Sequence, residues 1–283
     1  MLGANAADQM DDIELRDRYL QDVSKLPEKN QLSRHLLLAE SALSRRDYTV
    51  VEQEIQAASR INPGLTRLVR LKLRYAFDHG DALEVLNMTA KLLKAGAINE
   101  YEANEYRLWA YRRLIALASD QSSFKACLKR IPEDLRIGQL CVVIADKYEH
   151  LGLYPQAVAW VSKYYPLTQQ TELLPVFVQS VGYLGEKEQR KAIDTAEVWL
   201  QKRPEDAQLL NYLGLLSYSN KLWGKAQGYL EASLAVEPSM QARLGLAKVF
   251  DETDQTKKAE EQRKLALANI EQEEELNLPV VQP

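Results

Sequence analysis

The chain has 283 residues, of which 46% are hydrophobic and 27% are charged, and it contains only 12 glycines and 10 prolines. This balance is typical of a folded, helix-rich protein and excludes a chain that is disordered throughout. A net charge of −4 excludes the generally basic surface that nucleic-acid binding needs, so we expect no nucleic-acid partner.

The N-terminal region, residues 1–31, is predicted to hold a tail and one orphan helix. Apolar residues recur at helical spacing from residue 12 to residue 26, and Pro27 ends the pattern. This segment resembles the second helix of a hairpin whose first helix is missing. We therefore expect the natural protein to be longer than this chain.

Residues 32–270 are predicted to form about seven helical hairpins stacked one on another. The hairpins are predicted at residues 32–63, 66–96, 99–132, 138–166, 172–204, 204–238 and 240–270. Ala192, Ala226 and Ala259 recur at intervals of 34 and 33 residues. A helical hairpin at this period cannot bury its own apolar face, so it stacks on its neighbours. The expected fold is an all-α, right-handed solenoid of tetratricopeptide-like hairpins with no sheet.

The clearest repeat is residues 204–238, which begins and ends at a proline. Gly214 on its first helix and Ala226 on its second are predicted to lie where the two helices cross, because close backbones leave room only for small side chains. In the repeat at 66–96, Gly80 is expected to end the first helix in the left-handed conformation. Residues 271–283 are acidic and are predicted to form a disordered tail.

Motifs for chemistry are absent from the sequence. It contains no G-x-S-x-G, no phosphate-binding glycine loop and no metal-ligand motif, so we expect no catalytic residue, no metal site and no enzyme activity. Cys127 and Cys141 lie in apolar helical patterns and are predicted to be buried thiols. Neither a signal peptide nor an apolar run of about 20 residues that could span a bilayer is present.

Two stretches resemble the HemY family of bacterial haem-biosynthesis-associated tetratricopeptide proteins. The resemblance rests on the opening 36–39 (LLLA), the entry 173–175 (LLP), the joint 203–204 (RP) and the turn 222–226 (LWGKA) leading into 229–230 (YL). It extends from about residue 12 to about residue 270. It implies a non-enzymatic scaffold that acts late in protohaem synthesis.

The resemblance also implies partners and a location. Members of this family are expected in the bacterial inner membrane, anchored by an N-terminal pair of spans that this sequence lacks, with the repeat domain on the cytoplasmic side. Ferrochelatase and porphyrinogen oxidase are the expected protein partners. The resemblance implies no required cofactor, although haem could bind on the concave face. The alternatives are a haem or porphyrin carrier and a peptide-binding adaptor for envelope assembly. The sequence does not indicate an oligomeric state.

Candidate binding residues lie on first helices, which form the concave wall in solenoids of this kind. Arg67, Arg70 and Arg74 recur at i, i+3 and i+7, and Arg107 occupies a similar place on the next first helix. Guanidinium groups there suit carboxylates, such as porphyrin propionates or an acidic partner segment. The alternative is an ordinary solvated helix face.

Aromatic and histidine candidates complete the set. Asn211, Tyr212 and Tyr218 could contact a peptide or porphyrin, with core packing as the alternative for the tyrosines. A further aromatic group, residues 101, 106, 109 and 111, stands beside two arginines. His79 and His150 are weak haem-ligand candidates. Each is also expected at the end of a first helix, where an imidazole interacts with the last carbonyls.

Overall fold

The computed structural model describes residues 2–277, and within that range it is all-α with no strand. The chain divides after Ala118 into two compact units. Unit 1 contains α1 (Leu2–Gln9), α2 (Ile13–Ser24), α3 (Leu32–Ser44), α4 (Tyr48–Ile61), α5 (Thr66–His79), α6 (Ala82–Lys94) and α7 (Glu100–Leu117). Unit 2 contains α8 (Gln121–Arg130), α9 (Glu133–Ile137), α10 (Cys141–His150), α11 (Tyr154–Thr168), α12 (Leu173–Gly182), α13 (Glu186–Lys202), α14 (Ala207–Ser219), α15 (Trp223–Val236), α16 (Met240–Glu252) and α17 (Thr256–Asn277).

The helix pairs match the predicted repeats. In unit 1, α3 packs on α4 and α5 packs on α6; in unit 2, α10 packs on α11, α14 on α15 and α16 on α17. The less regular repeat at 99–132 is divided, since α7 belongs to unit 1 and α8 to unit 2. The prediction of an all-α fold built from tetratricopeptide-like hairpins is confirmed.

Aspartate side chains cap the starts of α4, α6 and α14. The side chains of Asp47, Asp81 and Asp206 each accept a hydrogen bond from the backbone N–H three residues later, at 3.3, 3.0 and 2.9 Å. Such caps satisfy backbone donors that the first turn of a helix leaves unpaired. Gly80 ends α5 with φ of +76°, in the left-handed conformation expected for it.

Small residues set the distance between paired helices. Ala226 of α15 is fully buried, and a β-carbon placed on Gly214 of α14 would lie 3.4 Å from the Ala226 carbonyl oxygen. The two helices therefore cross where the sequence predicts that they do. Ala39 of α3 and Ala58 of α4 are likewise fully buried, and both belong to the core cluster between these two helices.

The first helix that was expected to be missing is present, and that prediction is wrong. Residues 2–9 form α1, which packs on α2 and buries Ala4 and Ala7. Its apolar face consists of alanines, which give almost no hydrophobic contrast along the sequence. The helix is recognised only from its tertiary packing, in which Ala4 is buried in one cluster with Leu20 and Leu37.

The C-terminal boundary also differs from the prediction. Helix α17 continues to Asn277, seven residues beyond Ile270, where the disordered tail was expected to begin. Glutamate and glutamine, which dominate this stretch, are good helix formers, and high charge alone does not prevent a helix from continuing. Residues 278–283 lie outside the described part of the chain. Along the described residues, no helix combines the length and the apolarity needed to cross a bilayer.

Candidate functional site

A groove of about 280 Å³ in unit 1 brings together three of the arginines that the sequence singled out. We call it the arginine groove. Arg67, Arg70 and Arg74 line it from α5, Glu40 lines it from α3, and α7 contributes two further side chains. These three helices are the first helices of successive predicted repeats. The expectation that first helices form one lining surface therefore describes the geometry of unit 1.

Helical spacing explains why the three arginines share this groove. Residues at i, i+3 and i+7 lie on one face of a helix, and the intervening Leu68 and Leu71 of α5 are buried on the core side. All three arginines are exposed. The floor of the groove is apolar and is lined by Leu71, Leu73, Leu92 and Ile98.

Arg67 is neutralised by Glu40. Its Nε and Nη2 donate to the two carboxylate oxygens at 2.8 and 2.6 Å, a bidentate geometry that joins α3 to α5. These hydrogen bonds raise the pKa of the guanidinium above its ordinary value, so it stays charged. Because both side chains are partly exposed, the pair contributes little to stability.

Among the described residues, no carboxylate forms an ion pair with the other two groove arginines. Arg70 donates to the carbonyl oxygen of Ala97 in the connection between α6 and α7, and so retains its full charge. Among the residues that the structure describes, Arg74 has no hydrogen-bond or ion-pair partner. Arg74 is therefore the guanidinium in this groove that is available to a ligand.

Helix α7 supplies the opposite wall, through Glu102 and Tyr106. The Glu102 carboxylate turns back to accept a hydrogen bond from the backbone N–H of Asn99 at 3.3 Å, which completes a capping box at the start of α7. In the part of the chain that the structure describes, no hydrogen bond or ion pair joins Glu102 to Arg74. Neither Glu40 nor Glu102 was expected from the sequence to line a groove.

Arg107 lies outside the groove. Its Nη1 donates to Glu100 and to Asn104, both at 3.0 Å and both in α7. Arg107 follows Tyr106 by one residue, so the two residues are about 100° apart around the helix axis. The structure thus brings three of the four predicted arginines together and sends the fourth to another face.

An aromatic cluster adjoins the arginine groove. The ring of Phe77 at the end of α5 lies 4.4 Å from the ring of Trp109 and 6.0 Å from that of Tyr106, centroid to centroid. Phe77 is 38% exposed. The aromatic group of α7 was expected from the sequence and Phe77 was not, although this residue continues the spacing of Arg67, Arg70 and Arg74 by one further turn. Of the other α7 aromatics, Tyr101 is exposed and Tyr111 is buried.

The candidates of unit 2 pack between helices. Asn211 is 2% exposed and its Nδ2 donates to Oε1 of Gln241 at 2.8 Å, which ties α14 to α16. Tyr212 packs against the core cluster of α10–α14. Tyr218 packs against the next cluster, with its ring 5.3 Å from that of Trp223. In this structure all three side chains contribute to packing between helices.

The two candidate histidines also lie outside the arginine groove. The His79 ring packs against those of Tyr48 and Tyr75, at 4.5 and 4.6 Å between centroids. His150 Nδ1 donates to the Asp146 carbonyl at 2.7 Å, the helix-end contact expected from the sequence. Among the residues whose side chains the structure describes, no group of three or more His, Cys, Asp or Glu could hold a metal ion. The groove therefore offers neither histidine as an axial ligand for haem.

Cys127 and Cys141 are buried and unpaired, as the sequence predicts. Burial raises the pKa of both thiols above the ordinary value. A raised pKa keeps a thiol protonated, and the protonated form is a poor nucleophile. Their environment suits a structural role in the core.

Comparisons with known proteins found only weak similarities, all of them to solved structures. No protein-family model matches the sequence, and no curated protein matches it. A crystal structure of MamA is 18% identical, with coverage of 66% of this chain and 96% of MamA and a TM-score of 0.41. The fragment of MamA from residue 41 to its end, from Desulfovibrio magneticus RS-1, is 17% identical, with coverage of 66% and 94% and a TM-score of 0.39. The P58(IPK) TPR domain is 15% identical, with coverage of 87% and 70% and a TM-score of 0.32. At these levels of similarity, none of the three indicates what this chain binds.

Proposed function

We propose that this chain is a non-enzymatic scaffold that binds other proteins, and that the arginine groove of unit 1 is a principal contact surface. The observation that carries the proposal is Arg74, a charged side chain without a partner in a groove walled by successive first helices. Arginine recognises carboxylates through a planar fork of donors. An acidic segment of a partner protein is therefore the ligand that this groove suits.

We further propose that this scaffold acts late in bacterial protohaem synthesis. This proposal rests on the sequence resemblance to the HemY family, which also implies an inner-membrane location. In this role the chain binds ferrochelatase and porphyrinogen oxidase and requires no resident cofactor. Holding two enzymes together raises the effective concentration of one near the other, without any chemistry by the scaffold.

Direct binding of the purified enzymes tests this proposal. The full chain is immobilised, and ferrochelatase and porphyrinogen oxidase are passed over it separately at low ionic strength. We expect saturable binding of at least one enzyme, weakened about tenfold by Arg74→Gln. Arg190→Gln is the matched control, because Arg190 is an exposed arginine of α13, far along the sequence from the groove. Binding that is indifferent to both substitutions contradicts a role for the groove.

A haem titration separates the scaffold from a haem carrier. The wild-type chain and Arg74→Gln are titrated with haem while the visible absorbance is followed. The scaffold proposal predicts no stoichiometric Soret shift. A stoichiometric shift that disappears in Arg74→Gln would instead support the carrier. If neither enzyme nor haem binds, the haem-related role fails and a peptide-binding adaptor becomes the better description.

A further inference from the structure

Two stripes of side chains face each other across unit 1. On α5 the stripe consists of Arg67, Arg70, Arg74 and Phe77, spaced at i, i+3, i+7 and i+10. On α7 it consists of Glu102, Tyr106 and Trp109, spaced at i, i+4 and i+7. Tyr106 lines the arginine groove and also contacts Phe77. The groove is therefore continuous with the aromatic cluster, so that one end of the surface is cationic and the other is aromatic.

The cationic end has one charge in excess. Arg67 is matched by Glu40, and Glu102 is used in the capping box of α7. Arg70 and Arg74 remain positive against the single carboxylate of Glu102. An incoming carboxylate would meet the unpartnered guanidinium of Arg74 over an apolar floor, which excludes water from one side of the contact.

The aromatic end is incompletely covered. Phe77 packs on Trp109 at 4.4 Å between ring centroids, yet 38% of it remains exposed. A half-covered phenylalanine beside a half-buried tryptophan is a surface against which another apolar side chain would be buried. Because Phe77 lies one turn after Arg74, both would contact the same ligand.

We propose that this surface binds an extended segment of a partner protein in which an acidic residue and an aromatic or large aliphatic residue are separated by one residue. Arg74 and Phe77 are about 4.5 Å apart along the helix axis. In an extended segment, side chains two residues apart point to the same side and are about 6.6 Å apart, whereas adjacent side chains point to opposite sides. The length of the arginine side chain spans the difference. This inference rests on the proposed function and specifies the chemistry of the partner.

A displayed library of random ten-residue peptides tests the spacing. The library is selected on the full chain after depletion on the double variant Arg74→Gln, Phe77→Ser. We expect the enriched peptides to share Asp or Glu followed, after one residue, by Phe, Tyr, Trp, Leu or Ile. Enrichment of basic peptides, or of peptides without this spacing, would overturn the inference.

Affinities of a selected peptide locate the two contacts. We expect Arg74→Gln to weaken binding of the labelled peptide about tenfold in fluorescence anisotropy. Replacing the peptide's Asp by Asn should cost about tenfold with the wild-type chain and less than twofold with Arg74→Gln, since the two groups form one contact. Equal losses with both chains would show that Arg74 and the peptide carboxylate do not meet.

Phe77 is tested in the same way. Phe77→Ser should weaken binding about tenfold, and Phe77→Leu, which retains an apolar contact with Trp109, should weaken it less. The matched control is Tyr101→Ser, because Tyr101 is a 75% exposed aromatic residue of α7 outside the stripe. If Tyr101→Ser weakens binding as much as Phe77→Ser does, the aromatic half of the site is wrong.

The two proposals fail in different ways. If purified ferrochelatase or porphyrinogen oxidase binds through Arg74 but no peptide is enriched, the linear motif is wrong and the scaffold stands. If peptides with the expected spacing are enriched but neither enzyme binds, the haem-related partners are wrong and the motif stands.

Discussion

Leu230 of α15 lies directly against the backbone of Gly214 in α14. A β-carbon built on Gly214 would be 2.5 Å from Leu230 Cγ and 2.8 Å from its Cδ2. Leu230 is fully buried, so it cannot turn away into solvent. The crossing of the two helices therefore depends on the absence of a side chain at residue 214.

Gly214→Ala is expected to destabilise the protein by roughly 2–3 kcal/mol, because the added methyl group forces α14 and α15 apart in a close-packed core. The measurement is the free energy of unfolding in urea. Gly228→Ala is the control, since Gly228 lies inside the same α15 and a methyl group added there would meet nothing within 4 Å. There alanine should stabilise the helix by roughly 0.5–1 kcal/mol. Changes of the same sign at both positions would contradict this account.

Removal of Arg16 is expected to loosen the N-terminal hairpin. Arg16 is 5% exposed, and its Nη1 donates to Asp8 of α1 at 3.2 Å and to Ser41 of α3 at 2.8 Å. Arg16→Met removes the charged donor from the Asp8 carboxylate, which keeps the hydrogen bond from the Ser41 hydroxyl, at a cost of about 2–3 kcal/mol. Hydrogen exchange should accelerate in residues 2–24 but not in α5 and α6.

The control for Arg16 is Arg18→Met on the same helix, because Arg18 is exposed. That substitution should change exchange rates little. Faster exchange throughout unit 1 after Arg16→Met would show that the contact supports the whole unit rather than the hairpin.

Tyr165 is expected to make stability fall at alkaline pH. Its ring is fully buried, and its hydroxyl accepts a hydrogen bond from Arg203 at 2.7 Å. Burial and the Asp206 carboxylate raise the pKa of Tyr165 to about 12, against about 10 in an unfolded chain. Because the folded state holds this proton more tightly, the stabilisation is complete below pH 10 and is lost as the pH rises towards 12.

Tyr165→Phe removes this titration and provides the test. At pH 9 the variant should be less stable by about 1–2 kcal/mol, since Arg203 and Asp206 lose a hydrogen-bond partner. At pH 11.5 the wild-type advantage should have shrunk by about 2 kcal/mol. Guanidinium unfolding at both pH values measures it. A constant difference between the two proteins would mean that Tyr165 titrates normally.

Glu40→Gln is expected to strengthen binding of an acidic partner. The substitution releases Arg67, whose side chain is 49% exposed, and so adds a second free cation to the groove. We expect the affinity for a selected acidic peptide to rise about threefold at low salt, and the gain to vanish in 0.5 M salt, where charges more than a few ångströms apart are screened. Glu100→Gln, which releases Arg107 outside the groove, is the control. Weaker binding by Glu40→Gln would show that Glu40 itself contacts the ligand.

Particular elements show how far sequence reasoning reached. The stripe of Arg67, Arg70 and Arg74 follows from helical periodicity alone, since α5 has buried leucines at the intervening positions. Gly80 is a local signal within one turn of the helix end that it defines. For α1 the same reasoning failed, because alanines give too little contrast to mark an apolar face.

Contacts between residues that are distant in the sequence could not be predicted from local patterns. Glu40 and Arg67 are 27 residues apart, and no local pattern indicates that the carboxylate and the guanidinium meet. The same is true of buried Asn211 and exposed Gln241, which are 30 residues apart; the sequence offered Asn211 only as part of a binding surface. Phe77 is different: it was not predicted, although its spacing from Arg74 can be read in the sequence.

Periodicity within a few turns is enough to establish that the chain forms repeated helical hairpins and which face of each helix is buried. Which charges are already used depends instead on the tertiary structure. Arg67, Arg70 and Arg74 are equivalent as a pattern, and they differ because Glu40 and the Ala97 carbonyl reach the first two and leave the third without a partner among the described residues. That difference depends on distances between helices, which a helical repeat does not encode residue by residue.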